Sequence, residues 1–349
     1  MKEIFAYRLK NARLMNGFSL QALADKIGVS KPMIAKYEKA ISMPDSPNLI
    51  LLAKMLGVKP DYFFQPASIS LKNVNFRKKS KYSATQIKSL KAKILLQMEN
   101  YLSIEDVLAI QSEFTNPLKD FKISSFEDIE NAADELRKSW NLGNDPIHNI
   151  ITLLESNEIK VIEIDEPDQQ LFDGVSTFVD DKYPVIAINK NFPIERKRFT
   201  LLHELGHLLL ELDEEIVDVE KYCNRFAGAM LLPKNIIIKE IGTFRAHLSH
   251  PELFNLQKQY GISVSAIVYR LTDLSVIPEA RRIGYFMDRN KNPEFKASAD
   301  KVRFSGDESS ERFNSLVYRA LSQEIISISK ASALLNKSIE EVRNNLAII

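Results

Sequence analysis

The chain has 349 residues, of which 45% are hydrophobic and 27% charged; at about 150 residues per domain this is two or three globular domains, which excludes disorder as the main state and a fibrous repeat. Its 47 Lys and Arg and 46 Asp and Glu are unevenly spread: residues 1–100 hold 18 and 6 of them, leaving 29 and 40 for the rest, so a basic head on an acidic body points to a polyanion partner for the head alone. No apolar run approaches the roughly 18 residues of a membrane helix, the N-terminus MKEIFAYRLKNARLMNG lacks the apolar stretch of a signal peptide, and the single cysteine, Cys223, excludes an intramolecular disulfide, so a cytoplasmic protein with no membrane partner is expected.

In chain order, residues 1–65 predict five short helices. Leu9 and Ala12, then Leu20, Leu23, Ala24 and Ile27, then Leu49, Leu52, Ala53 and Leu56 recur at helical spacing. Ser19 and Ser30 are placed to cap two of these helices, and Gly57 to stop another. Residues 66–84 read as a basic linker: from 66 to 98 the bases are Lys72, Arg77, Lys78, Lys79, Lys81, Lys88, Lys91 and Lys93, with no acid among them. Residues 85–124 read as a helical connector, and the helical pattern runs on to about 158 with Pro117 and Pro146 as breaks. Between 159 and 189 the period changes, and KVIEI and PVIAIN predict strands. Helices return from Glu195 to Leu212, continue to about 275, and fill a C-terminal region at 276–349. No internal repeat or low-complexity segment stands out.

Within the head, SLQALADKIGVSKPMIAKYEKA has the outline of a helix-turn-helix. Small Ala24 lets two helices cross, Gly28 permits the tight turn, and Val29 and Ile34 supply anchors. A helix starting after Ser30 would enter the major groove of double-stranded operator DNA, with Lys31, Met33 and Lys36 outward. Lys39, Arg8 and Lys10 are candidate phosphate contacts, which position without specifying sequence. The alternative is a small helical bundle whose lysines are merely solvated. Over residues 5–64 the segment resembles the Xre/Cro family of repressor domains. It departs from that family in having Leu20 where Gln is frequent, with Gln21 one position on, and Pro32 where a polar base reader is frequent.

The body contains His203-Glu204-Leu205-Gly206-His207. Two histidines four residues apart share one helix face and can reach one zinc ion, and Glu204 between them is placed as a general base. A third protein ligand is needed. Glu220 is a candidate, with Asn224 four residues on as a partner for a ligating ring, but Glu211, Asp213, Glu214, Glu215 and Asp218 lie nearby and spacing alone leaves them open. Ala227 and Gly228 are expected to let this second helix approach the first. RFTLLHELGHLLL followed by EKYCNRFAGAMLLP is similar to the ImmA/IrrE family of gluzincin-like metallopeptidases, with the resemblance covering roughly 125–275. That resemblance implies Glu220 as the third ligand, and it marks Cys223 as standing where Ala is usual.

The expected fold is multidomain and mainly α: an all-α helix-turn-helix head, a helical middle, and an α+β zincin-like peptidase body with a small sheet. The expected function is a DNA-binding regulator, dimeric on its operator, carrying a Zn2+-dependent endopeptidase that cuts a regulatory protein such as a repressor or antitoxin in response to a signal. The alternative is a transcription factor or antitoxin whose peptidase-like body is a non-catalytic sensor or docking module. Three minor expectations complete the reading. The strand Val185–Asn189 could pair with an extended substrate. His247, His250, Tyr183, Tyr269 and Arg270 are oxyanion donors by residue type only. The tail segment SKASALLNKSIEEV loosely suggests a second helix-turn-helix, but Glu340 and Glu341 on its second helix would repel phosphate, so it reads as a structural or dimerising helix pair.

Overall fold

The computed structural model describes residues 1–65, 83–166, 172–292 and 303–346; Lys72, Arg77, Lys78, Lys79 and Lys81 of the basic linker lie outside the described residues. The first elements are α1 (Lys2–Met15), α2 (Leu20–Ile27), α3 (Lys31–Glu38), α4 (Ser46–Leu56), a 3-10 turn (Pro60–Phe64) and α5 (Ala84–Val107). Then come β1 (Lys122–Ile123), α6 (Phe126–Ser139), α7 (Ile150–Ser156), β2 (Lys160–Ile164), β3 (Gly174–Val179) and β4 (Tyr183–Asn189). They are followed by α8 (Ile194–Leu209), β5 (Glu211–Leu212), α9 (Val219–Leu231), α10 (Lys234–Glu240), α11 (His250–Tyr260), α12 (Val264–Asp273) and α13 (Glu279–Lys291). The last are α14 (Arg312–Ser322), α15 (Ile328–Leu335) and α16 (Ile339–Asn345). The molecule is mainly α, and no helix among the described residues is long and apolar enough to cross a membrane. Two compact units result: Met1–Ser112 with Phe178–Tyr183 and Glu311–Ile349, and Glu113–Thr177 with Pro184–Ser310.

In the first unit, local chemistry sets the helix ends. Ser19 Oγ accepts from the Ala22 N–H at 3.0 Å and starts α2; Gly28, at φ 72°, closes it in the left-handed conformation that glycine adopts without strain. Ser30 occupies the N-cap of α3, but its side chain makes no capping bond, and Pro32 in the first turn supplies the preset φ instead. Asp45 caps α4 by accepting from the Asn48 N–H at 3.0 Å. The expected fifth helix is only a 3-10 turn. Phe5, Leu9, Leu23, Ala24, Ile34, Leu52 and Phe63 are fully buried and form the head's core, which α5 also touches through Leu96. Arg8 is a correction: it is buried, ion-paired with Glu99 of α5 and donating through Nε to the Gln65 carbonyl at 2.9 Å, so it does not face a phosphate.

Helix α5 begins with a capping box between Ser83 and Gln86, and its Tyr101 and Ile104 share a core with Val317, Ala320, Ala331 and Val342 of α14–α16. The α15–α16 pair repeats the design of α2–α3. Ser327, Asn336 and Ser338 stand at the same spacing as Ser19, Gly28 and Ser30, with Asn336 left-handed at φ 50°. Ala331 and Val342 are buried where Leu23 and Ile34 are buried. This is a structural repeat that residue identity conceals, because few side chains match.

In the second unit, α6, α7, α8, α9, α11 and α12 surround one core that includes Ile129, Leu136, Ile150, Ile186, Leu201, Leu205, Phe226 and Ile267. The stretch 108–125, expected to be largely helical, is mostly irregular and contains β1, which pairs in parallel with β5 (Lys122↔Glu211). The expected helix 195–212 ends at Leu209 because Glu211 and Leu212 join that pairing. The larger sheet has the order β2-β4-β3, with β2 and β4 parallel from Lys160↔Val185 to Ile164↔Asn189. β4 is central and buried along almost its whole length, as its continuous apolar run requires. Both of its sides are taken, so the expectation that Val185–Asn189 receives a substrate strand is not met; the edge beside the metal motif belongs to β3.

Candidate metal centre and nucleic-acid interface

Helix α8 is held by its first turns. Arg198 is fully buried, and its guanidinium donates to the carbonyls of Ile147 (2.7 Å), Gly261 (3.2 Å) and Tyr260 (3.3 Å), pairs with Glu308 and lies 4.2 Å from the Phe304 ring. One turn on, Leu201, Leu202, Leu205 and Leu209 fill the core, leaving His203, Glu204 and His207 on the remaining face. Helix α9 packs against that face, started by Asp218, whose side chain accepts from the Lys221 N–H at 3.2 Å. The glycine that permits this approach is Gly206. A Cβ there would lie 3.3 Å from Phe226 Cδ1 and 3.4 Å from Cys223 Cα. Gly228, expected in that role, faces Arg270 of α12 instead.

The two helices bring His203, His207 and Glu220 together. His203 Nε2 lies 3.2 Å from Glu220 Oε2, His207 Nε2 lies 3.3 Å from Glu220 Oε1, and the two Nε2 atoms are 3.2 Å apart. All three ligand-type atoms fall within 4.8 Å of one another, and no other such group of His, Cys, Asp and Glu is found among the described residues. Both rings are fixed from behind. His203 Nδ1 is 2.9 Å from Asn224 Oδ1, and His207 Nδ1 is 3.3 Å from Cys223 Sγ. With each Nδ1 carrying its proton, both Nε2 atoms turn lone pairs toward the same carboxylate. Such a set repels itself unless a cation sits among it. Its spacings match the edge of a tetrahedron of radius 2.0–2.1 Å, about 3.3–3.4 Å, as expected for zinc. The donor set therefore fits a divalent metal.

Glu204 is only 3% exposed. Its Oε2 accepts from Ser176 Oγ of β3 at 2.9 Å. Gly174 opens β3 directly against this carboxylate: a Cβ there would be 2.7 Å from Thr200 Cγ2 and 3.1 Å from Glu204 Cγ. The strands expected between 159 and 189 were KVIEI and PVIAIN, so β3 and Ser176 were missed. The β-branched and aromatic residues of GVSTFV were the available signal. Of the oxyanion candidates, Arg270 is a correction: it is buried and bidentate on Glu130, at 2.5 and 2.6 Å. His247 contacts Arg281 at 3.3 Å, His250 stacks on Phe254, and Tyr269 packs on Phe286.

In the head, Lys31, Lys36 and Lys39 are exposed on and just after α3. Gln21 is exposed on α2, with Nε2 donating to Asp25 Oδ1 at 2.7 Å. Met33 is half-buried against the head's core, and its Sδ is 4.0 Å from Ser42 Oγ.

Comparison with known proteins agrees with both halves. Residues 9–63 match the helix-turn-helix family model, and residues 155–272 match the model of the IrrE N-terminal-like domain. The chain is 31% identical over 113 residues to the radiation response metalloprotease IrrE of Deinococcus radiodurans, covering 28% of this chain and 34% of that protein. It is 28% identical over 113 residues to its counterpart in Deinococcus deserti, covering 28% and 40%. The head is 36% identical over 62 residues to the SPbeta prophage-derived HTH-type transcriptional regulator YonR of Bacillus subtilis, covering 18% of this chain and 57% of that one. The chain thus spans only about a third to three fifths of the length of these relatives. Residues 9–63 accordingly match a helix-turn-helix domain, and residues 155–272 an IrrE N-terminal-like domain, carried on one chain.

Proposed function

We propose that this protein is a cytoplasmic DNA-binding regulator whose body is a zinc-dependent endopeptidase acting on a regulatory protein, a repressor or an antitoxin. The observation that carries the reading is the meeting of His203 Nε2, His207 Nε2 and Glu220 beside a buried Glu204. His203, His207 and Glu220 would hold the zinc, which would supply a Lewis acid toward the peptide carbonyl. Glu204 would take a proton from the attacking water and pass it to the leaving amine, the two-way role that suits a carboxylate on the same helix face. Ser176 Oγ fixes the Glu204 carboxylate by donating to Oε2. The edge of β3 at Gly174–Ser176 receives the extended substrate by backbone pairing, next to that carboxylate. Replacing Glu204 by Gln keeps the zinc and lowers turnover by about 10²–10⁴-fold, the contribution of a positioned acid–base group. Proteomes of cells carrying wild type and E204Q provide the test: a protein fragment made only by the wild type supports the reading. Identical proteomes with identical regulation would leave the body a non-catalytic sensor or docking module.

The head binds double-stranded operator DNA as a homodimer on a two-fold site. Lys31 and Lys36 of α3 face the groove, Lys39 contacts phosphate, and Gln21 approaches from α2. Met33, half-buried, contributes packing at the foot of the recognition helix. Binding that falls steeply with salt, and that is lost on deleting residues 1–65, supports this; salt-insensitive binding, or binding that survives the deletion, sinks it.

A further inference from the structure

Resting on the metal-centre reading above, we infer that Cys223 is a positioning residue whose thiol holds His207 in its ligating tautomer, doing for that ring what Asn224 does for His203. Neighbouring residues of α9 divide the work: Asn224 Oδ1 accepts a hydrogen bond from Nδ1–H of His203 at 2.9 Å, and Cys223 Sγ accepts one from Nδ1–H of His207 at 3.3 Å. Adjacent residues on a helix point about 100° apart, so one backbone can serve two rings only when they stand a turn apart on a closely packed partner helix. Gly206 supplies that closeness. A Cβ at Gly206 would lie 3.4 Å from both Cα and Cβ of Cys223.

The thiol is 1% exposed, so bulk water does not compete for the Nδ1 proton at this position. Sulfur is a weak acceptor, but a fixed one here, and a proton held on Nδ1 leaves the Nε2 lone pair directed at the metal position. The same geometry rules out direct ligation. Sγ addresses Nδ1, the nitrogen turned away from the cluster, and the convergent group comprises His203, His207 and Glu220 without the thiol.

Full-length wild type, C223A, C223V and C223S test the role by zinc affinity in competition with a chromophoric chelator and by the visible spectrum after Co2+ loading. Circular dichroism checks that each variant is folded. C223A and C223V should bind zinc about 10–100-fold more weakly with shifted cobalt bands, and C223S, which restores an acceptor, should stay within about threefold of wild type. Valine fills the space without accepting, so C223V binding as tightly as C223S would make the role one of packing and overturn the inference. Equal affinity and spectra across all variants would do the same, as would a sulfur-to-cobalt charge-transfer band marking the thiol as a ligand. Should C223A fail to fold, the contrast between C223S and C223V decides. Wild type that takes up neither metal brings down the metal centre itself; wild type that loads normally beside an unaffected C223A removes only the Cys223 role.

Discussion

Helix α3 of the head and the α8–α9 pair of the body place their candidate functional side chains in opposite environments. Lys31, Lys36 and Lys39 stand in solvent, whereas His203 and Glu204 are 6% and 3% exposed. Exposed cations are cheap to hold, screened by salt and nearly independent of one another. Buried polar groups must each be satisfied, so the body is threaded with fixed ion pairs: Arg198 with Glu308, and Arg270 and Arg225 with Glu130. The difference teaches that changes at the body's site act through geometry and stability, while changes at the exposed lysines of α3 act through charge.

The largest effect that would sharpen this contrast is loss of the metal. His203→Ala or Glu220→Ala should weaken zinc binding by more than the roughly 100-fold typical of outer-shell changes, measured by chelator competition. DNA affinity measured on the same samples should not change. Next comes Glu130→Ala, which leaves Arg270 buried without its carboxylate and should cost about 3–5 kcal/mol in denaturant unfolding of the body. Burial alone would raise the Glu130 carboxyl, but Arg270 and then Arg225 outweigh it and hold it below the usual value. A depressed carboxyl stabilises the fold above the unfolded value of about 4.3 and ceases to do so as pH falls through its folded value. The protection factors of the α6 amides, which allow for the pH dependence of chemical exchange, should therefore fall on acidification through that value in wild type, and the E130A variant should lack this component. A smaller loss, about 1 kcal/mol, is expected for Ser19→Ala, which removes the cap of α2; a head-confined change in hydrogen exchange checks it. The smallest is Lys39→Ala, which should lower the slope of log affinity against log salt by about 0.9 without altering the head's stability. A stability loss from K39A as large as that from E130A would break the comparison.

Much of the site was legible because local spacing carries it. His203 and His207 are forced onto one face by the helical repeat, and Ser19, Gly28 and Gly57 announce helix ends through their own backbone chemistry. The distinction between Glu220 and the acids around it was not local. Glu211, Asp213, Glu214, Glu215 and Asp218 precede it in one charged run, and only the packing of α9 on α8 separates it from them. Arg8 and Arg270 read as surface cations available to ligands, yet each is buried against a carboxylate distant in sequence, Glu99 and Glu130. The resemblance of α15–α16 to α2–α3 was faint for a related reason: turn and cap positions recur, but side chains packed against different neighbours do not.

By itself, then, the sequence determined the helix-turn-helix outline, the paired imidazoles and the strands KVIEI and PVIAIN, all of which follow from periodicity over a few residues. Tertiary structure alone decided that β3 rather than β4 is the edge beside Glu204, that Ser176 reaches that carboxylate, and that Gly206 rather than Gly228 lets Cys223 and Asn224 stand behind the two rings. Those facts depend on which surfaces of separate segments meet, and that is settled by the packing of the whole core rather than by any one stretch of chain.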